Sequence, residues 1–172
     1  MIPVIFGILI ALFINSWNQQ RQDNNYMEEI FQSIDSELAE GKKEIVENLP
    51  KQNQLIDSLM AYLSDEQMPV IEIALKADGF HAPKVRTNSW EALSRTKIEL
   101  VAYDVLRALS EIEEGKELLR EKERYLMNYV FLNIKGTSKE VKETIVLLLR
   151  DIISTEISLK QDIEYYESLG DQ

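Results

Sequence analysis

The chain has one imidazole, His81, and Asp78 stands three residues before it. That spacing can place a carboxylate and an imidazole on one metal ion. A di-iron carboxylate bundle, however, takes two Glu-x-x-His motifs on facing helices and two further glutamates, and one His cannot build it. A Ser-His-Asp relay through His81 would want a G-x-S-x-G elbow, which the sequence lacks. Neither a G-x-x-x-x-G-K-[ST] nor a G-x-G-x-x-G loop is present to cradle phosphates. Cys is absent, so thiolate nucleophiles, thiolate zinc sites and disulfides are excluded. His81 therefore reads as a loop residue near solvent. No metal, cofactor or catalytic set is assigned, and the chain is expected not to be an enzyme.

Carboxylate pairs are the next chemistry to weigh. Glu28-Glu29 and Glu113-Glu114 are adjacent on helical stretches. Neighbours on a helix point about 100° apart, so they do not converge on one substrate, and they read as solvated faces. Glu156 differs, because Ile152 and Leu159 put it on the apolar side of its helix. Once buried, it would need a partner such as Lys or Arg. Trp90, Tyr125, Tyr129, Tyr165 and Tyr166 could line a ligand pocket, but at helical spacing they read as core.

The elements that must position these residues are helices. Gly and Pro are few, Leu, Ile, Glu and Lys abound, and no stretch alternates as a strand would. Met27, Phe31, Ile34, Leu38, Gly41 and Ile45 recur at steps of four and three, one apolar stripe on one long helix. Pro50 is expected to end that helix near Asn48 and to open a second at its first turn, with Leu55, Ile56, Leu59, Met60 and Leu63 facing inward. Val70–Ala77 reads as a short helix, and Thr87-Asn88-Ser89 as the start of another around Trp90. A long helix then carries Val105, Leu109, Ile112, Leu119, Leu126 and Val130, with a kink expected at Glu113-Glu114-Gly115. It stops at Lys135-Gly136. Thr137 and Glu140 have capping-box spacing before a last helix with Val141, Ile145, Leu148, Ile152, Leu159, Ile163 and Tyr166. Short links at Pro50 and Gly136 predict antiparallel neighbours. The path runs out, back, out again and back.

Net charge is −11, with 30 acidic and 19 basic residues, which argues against nucleic acid as a partner. The first residues point elsewhere. From Ile2 to Ile14 every residue is apolar apart from the small Pro3 and Gly7, and the chain then turns polar at Asn15-Ser16-Trp17-Asn18. Such a run spans about 20 Å as a helix, against about 30 Å of hydrocarbon. A bilayer anchor, a secretory signal and a buried core helix all fit a short apolar run. The missing basic lead and cleavage site weigh against the second, and apolar character on every face at the extreme terminus weighs against the third. The expected anchor face is Ile5, Phe6, Gly7, Leu9, Ala11 and Leu12, with Trp17 at headgroup depth. Gly7 and Ala11 lie four apart, a small-xxx-small face through which a second copy of the chain could pair.

Gly7–Arg21, GILIALFINSWNQQR, is similar to the anchor signature of a widespread bacterial family of uncharacterised single-pass membrane proteins. Thr87-Asn88-Ser89-Trp90-Glu91-Ala92-Leu93 with Tyr103-Asp104-Val105-Leu106 and Leu109-Ser110-Glu111-Ile112 resembles that family's central block. Members carry a longer apolar run before the Gly. They also have a Ser/Thr-Gly pair where this chain has Thr96-Lys97. The resemblance implies an inner-membrane anchor at 1–21 and a periplasmic helical domain at 22–172. It lends no activity. The expected fold is all-α, an N-terminal anchor helix continuing into an antiparallel four-helix-type bundle. Trp90, Tyr103 and Glu156 are its candidate structural or binding residues. The expected function is a membrane-tethered module for an as yet unidentified protein partner. The alternative is an extracytoplasmic ligand-sensing domain that acts through a partner.

Overall fold

The computed structural model describes residues 2–170, with side chains at Ile10 and from Leu12 onward. The described residues are all-α. Helix α1 is Ile2–Ala61, α2 is Val70–Lys76, α3 is Asn88–Thr96, a 3-10 turn covers Ile98–Leu100, α4 is Tyr103–Leu132 and α5 is Lys139–Gly170. The short helices over Val70–Lys76 and Asn88–Thr96 form where the sequence places them.

Pro50 does not break the first helix. Its ring costs one main-chain hydrogen bond and crowds the preceding turn, yet α1 runs through it to Ala61. The reason is the seam. Ile34, Leu38, Gly41, Ile45, Asn48, Gln52, Leu55 and Leu59 are all buried, at unbroken steps of four and three on both sides of an exposed Pro50. Burial along that seam outweighs one lost bond. Asn48 and Asn53 also donate side-chain amides to the carbonyls of Glu44 and Leu49, each at 2.8 Å.

The other long helices keep the same spacing. Leu109, Ile112, Lys116, Leu119, Leu126 and Val130 are buried along α4. On α5 the buried set includes Lys142, Ile145, Leu149, Ile152, Glu156, Leu159, Ile163 and Tyr166. Leu149 holds the seam position there, and Leu148 is only half-buried. A repeat of 3.5 residues lets helices pack along their whole length. No break appears at Gly115. Its missing side chain lets Leu159 of α5 approach, since an added Cβ would sit 3.2 Å from the Leu159 Cδ1.

Cross-helix pairs fix the directions. Tyr166 bonds Asp35, Gln52 bonds Glu156 and Lys142 reaches Tyr62, so α5 runs antiparallel to α1. Lys122 with Asp151 and Arg107 with Tyr165 make α4 antiparallel to α5. Between the top of α1 and the foot of α4 the chain descends through α2, a strap without regular secondary structure at 79–87, and α3. Tyr26 with Thr96 and Ser33 with Ser89 hold α3 antiparallel to α1. The descending limb that sequence reading assigns to a helix starting at Pro50 is thus made of α2, strap and α3.

Caps differ from expectation in detail. Ser138, not Thr137, offers its hydroxyl to the start of α5, at 3.4 Å from the Val141 N–H. Helix α4 ends at Leu132, before Gly136, and the Gly136 carbonyl instead accepts the Val70 N–H at 3.0 Å.

Candidate functional site

Polar residues interrupt all three apolar seams at seam positions, and apart from Asn48, which bonds within α1, each interruption is met by another element. They form three layers. At the top, Lys142 is fully buried. Its ammonium donates to the carbonyls of Tyr62 at 2.8 Å and Asp65 at 2.6 Å. These carbonyls close the C-terminal end of α1, where a cation satisfies orphan acceptors and opposes the helix dipole.

Nearer the foot, Lys116 is 5% exposed. It donates to the Thr87 hydroxyl at 2.7 Å and to Glu113 at 2.8 Å, with Glu91 and Glu117 each 3.4 Å away. Burial works to lower the Lys116 pKa, but the surrounding carboxylates outweigh it and the net shift is upward. Thr87 is spent on this layer, bonding Lys116 and Glu113, and does not cap α3. Glu37 of α1 takes over that task, accepting the Ser89 N–H at 3.2 Å. Glu113 therefore faces inward, contrary to its expected solvated face, while Glu114 is exposed.

The middle layer is the most unusual. Glu156 is 0% exposed. Its partner is not Lys or Arg, as sequence reading requires, but the Gln52 amide at 2.7 Å. The same Gln52 nitrogen also donates to the His81 carbonyl on the strap, at 3.1 Å. Glu123 of α4 lies close enough to act on Glu156 electrostatically. Burial pushes both carboxyls up to about 7, with Arg120 partly opposing the shift on Glu123, and Gln52 that on Glu156. His81 is not a free loop residue. Its ring is largely covered, and its Nε2 lies 3.4 Å from Asp78.

At the foot, Phe31, Asp35, Leu38, Val105, Tyr166 and Leu169 line an open groove of about 540 Å³. The Tyr166 hydroxyl donates to Asp35 at 2.8 Å. Burial, and then that bond, raise the Tyr166 pKa, so the phenol stays protonated.

Of the candidate residues, Trp90 is 5% exposed and belongs to the core with Leu93. Tyr103 stands 76% exposed on the first turn of α4. Tyr125 and Tyr165 are exposed too and are not core. The side chains of Ile5, Phe6, Gly7, Leu9 and Ala11 lie outside the described set, so a pairing face at Gly7 and Ala11 does as well. Leu12 and Trp17 are exposed. Among the described residues no helix carries a stretch long and apolar enough to cross a membrane. Nor does any group of three or more His, Cys, Asp or Glu there come together as metal ligands.

Sequence reading missed Gln52, Lys116, Glu123 and Lys142. The signal was present. Each lies on the same 3.5-residue repeat as its apolar neighbours, so a polar residue at a seam position marks a buried polar layer. Chemically, the middle layer can take up and release protons near neutrality, and the other two hold elements together. Comparison with protein-family models, characterised proteins and solved structures finds no match to this chain.

Proposed function

We propose that the protein is a membrane-tethered helical module that binds another protein and has no catalytic role of its own. The observation that carries this reading is the way α1 leaves the bundle. Its lowest cross-helix bonds are Asp23 to Lys97 and Tyr26 to Thr96. Below them, residues 2–22 extend a further ~30 Å at 1.5 Å per residue. Ile10, Leu12, Phe13, Ile14 and Trp17 are each more than half exposed there and point to opposite sides of the helix. Large apolar side chains exposed on opposite sides of one helix need another apolar medium. The apolar run would seat in the bilayer with Asn15–Trp17 at the interface. The foot of the bundle agrees, since the exposed Leu100 shares a groove with Ser16, Gln20 and Asp23 and lies beside the polar junction.

The test is fractionation of cells expressing the full chain, with an alkaline carbonate wash. The protein should stay in the membrane pellet, and Leu12→Asp with Phe13→Asp should release it without loss of helicity. Full recovery of the unaltered chain in the soluble fraction sinks the tether. Cross-linking in native membranes should then yield a heterologous adduct. A homodimer alone, lost in Gly7→Ile with Ala11→Ile, would make a second copy the partner.

The foot groove favours a second reading, an extracytoplasmic sensing domain acting through a partner. Its volume suits a small molecule, and the Tyr166–Asp35 pair supplies a polar handle in an apolar lining. Retention of a small molecule on the purified protein, lost in Val105→Trp, would favour it.

A further inference from the structure

The three polar layers differ in how well they are satisfied. Lys142 and Lys116 each meet several acceptors. In the middle layer the shortage is of donors. Buried and without a hydrogen-bond partner are Glu156 Oε2, Glu123 Oε1, Gln52 Oε1 and His81 Nε2. The Gln52 amide oxygen only accepts, the two carboxyl oxygens only accept unless protonated, and His81 Nε2 is turned to the Asp78 carboxylate 3.4 Å away. Neither carboxylate has a Lys or Arg within ion-pair distance among the described residues. Two negative charges here would be uncompensated, which a folded interior avoids by neutralising the groups.

We propose that Glu123 and Glu156 form a proton-binding site in the bundle core, and that emptying it loosens the strap from α1 and α5. The link runs through Gln52, whose one amide group holds both the Glu156 carboxyl and the strap carbonyl of His81. The strap is the cover most easily lifted. Residues 80–86 make no backbone–backbone hydrogen bond among those described. What holds them is side-chain contact, including Arg86 on Glu40 and Val85 against Gly41. A cavity of about 50 Å³ lies under the strap between Phe80, His81, Glu123, Leu126, Met127 and Ile152, large enough to admit water to a new charge.

The charged surroundings add little cation. On α4, Arg120 acts on Glu123 from a distance and is engaged with Glu117, and Lys122 is spent on Asp151 and Thr155. From the strap come His81, facing Asp78, and Lys84, which lines the same outer groove as Glu123. From α1 the layer receives Gln52, which carries no charge. Both carboxyls are accordingly raised by burial to about 7. A carboxyl whose folded pKa is raised binds more protons folded than unfolded. Its contribution to stability is intact below the unfolded value near 4.5 and falls as pH rises through the folded value near 7.

The experiment is limited trypsin cleavage of the full chain in detergent micelles at pH 6 and pH 8, each rate divided by that of an unfolded peptide carrying residues 80–90 under the same conditions. Cleavage after Lys84 and Arg86 on the strap should rise up to about tenfold between the two for a single coupled carboxyl, while sites on α4 and α5 stay resistant. Glu156→Gln keeps the shape and cannot ionise, so its strap should be cut slowly at both pH values. A strap that does not respond to pH in the wild type overturns the proposal, as does a Glu156→Gln variant that responds fully. If Glu156→Gln fails to fold, Glu123→Gln removes a charge that raises the Glu156 carboxyl, so its strap should loosen at lower pH than the wild type, and an unchanged response overturns the proposal. A carboxyl carbon-13 titration of the wild type decides independently: both groups titrating near 4.5 would overturn the site.

Discussion

A buried lysine reads in two opposite ways depending on what its three hydrogens meet. Lys142 occupies a seam position between Ser138 and Ile145, and its apolar stem packs in the core while the ammonium closes two carbonyls at the end of α1. Lys142→Met keeps most of the packing and removes both bonds. The Tyr62 and Asp65 carbonyls would then be left under-satisfied, costing about 1–3 kcal/mol each if water cannot reach them. Urea unfolding should therefore show a clear loss. An unchanged or higher midpoint would mean that burying the charge cancels what its bonds return, as happens when buried ions are exchanged for well-packed apolar residues.

At the level of elements, α1 shows which of two local rules prevails. Proline inside a helix is a strong stop signal, disfavoured by about 3 kcal/mol relative to Ala. Against it stands a seam that keeps its repeat from Ile34 to Leu59, each buried aliphatic contributing about 1.5–3 kcal/mol. The seam prevails, and Pro50 sits on the exposed side as a tolerated defect. Pro50→Ala should raise stability by about 1–3 kcal/mol, less whatever the proline saves by stiffening the unfolded chain. The thermal midpoint measures it. A lower midpoint would show that the proline is needed to hold the top of α1 against Lys142. Gly41 follows a different logic. An added Cβ would sit 3.1 Å from Val85, so its place in the stripe records the close approach of the strap.

For the whole molecule, the end of α5 lies beside the lower half of α1. Tyr166 and Glu167 of α5 meet Asp35 and Lys42 of α1, and the exposed Ile10, Leu12, Phe13, Ile14 and Trp17 of α1 lie below Asp23. A tether there would leave α2 and the tops of α4 and α5 farthest from the membrane. A reporter active only in the periplasm, fused after Gln172, should be active, with a cytoplasmic reporter at the same site silent. The reverse pattern would place the bundle in the cytoplasm and remove the extracytoplasmic reading. The tether itself would survive, because carbonate extraction tests it separately.

Local signals by themselves determined that the described residues are helical, that Ile34 and Ile152 are core and that Glu156 is the acid to watch, all from the 3.5-residue repeat. Cap residues and Pro/Gly punctuation placed α2, α3 and the end of α5. Tertiary structure alone decided the rest. Whether Pro50 ends a helix depends on what its flanking turns bury. Whether Thr87 caps α3 depends on Lys116 and Glu113 arriving from another helix to claim its hydroxyl. Most of all, the company of Glu156 was undetermined. Gln52, Glu123 and His81 lie 104, 33 and 75 residues away in the chain. The electrostatics of a buried carboxyl are set by neighbours and dielectric, and the local pattern marks Gln52 and Glu123 as seam positions without showing which groups folding brings together.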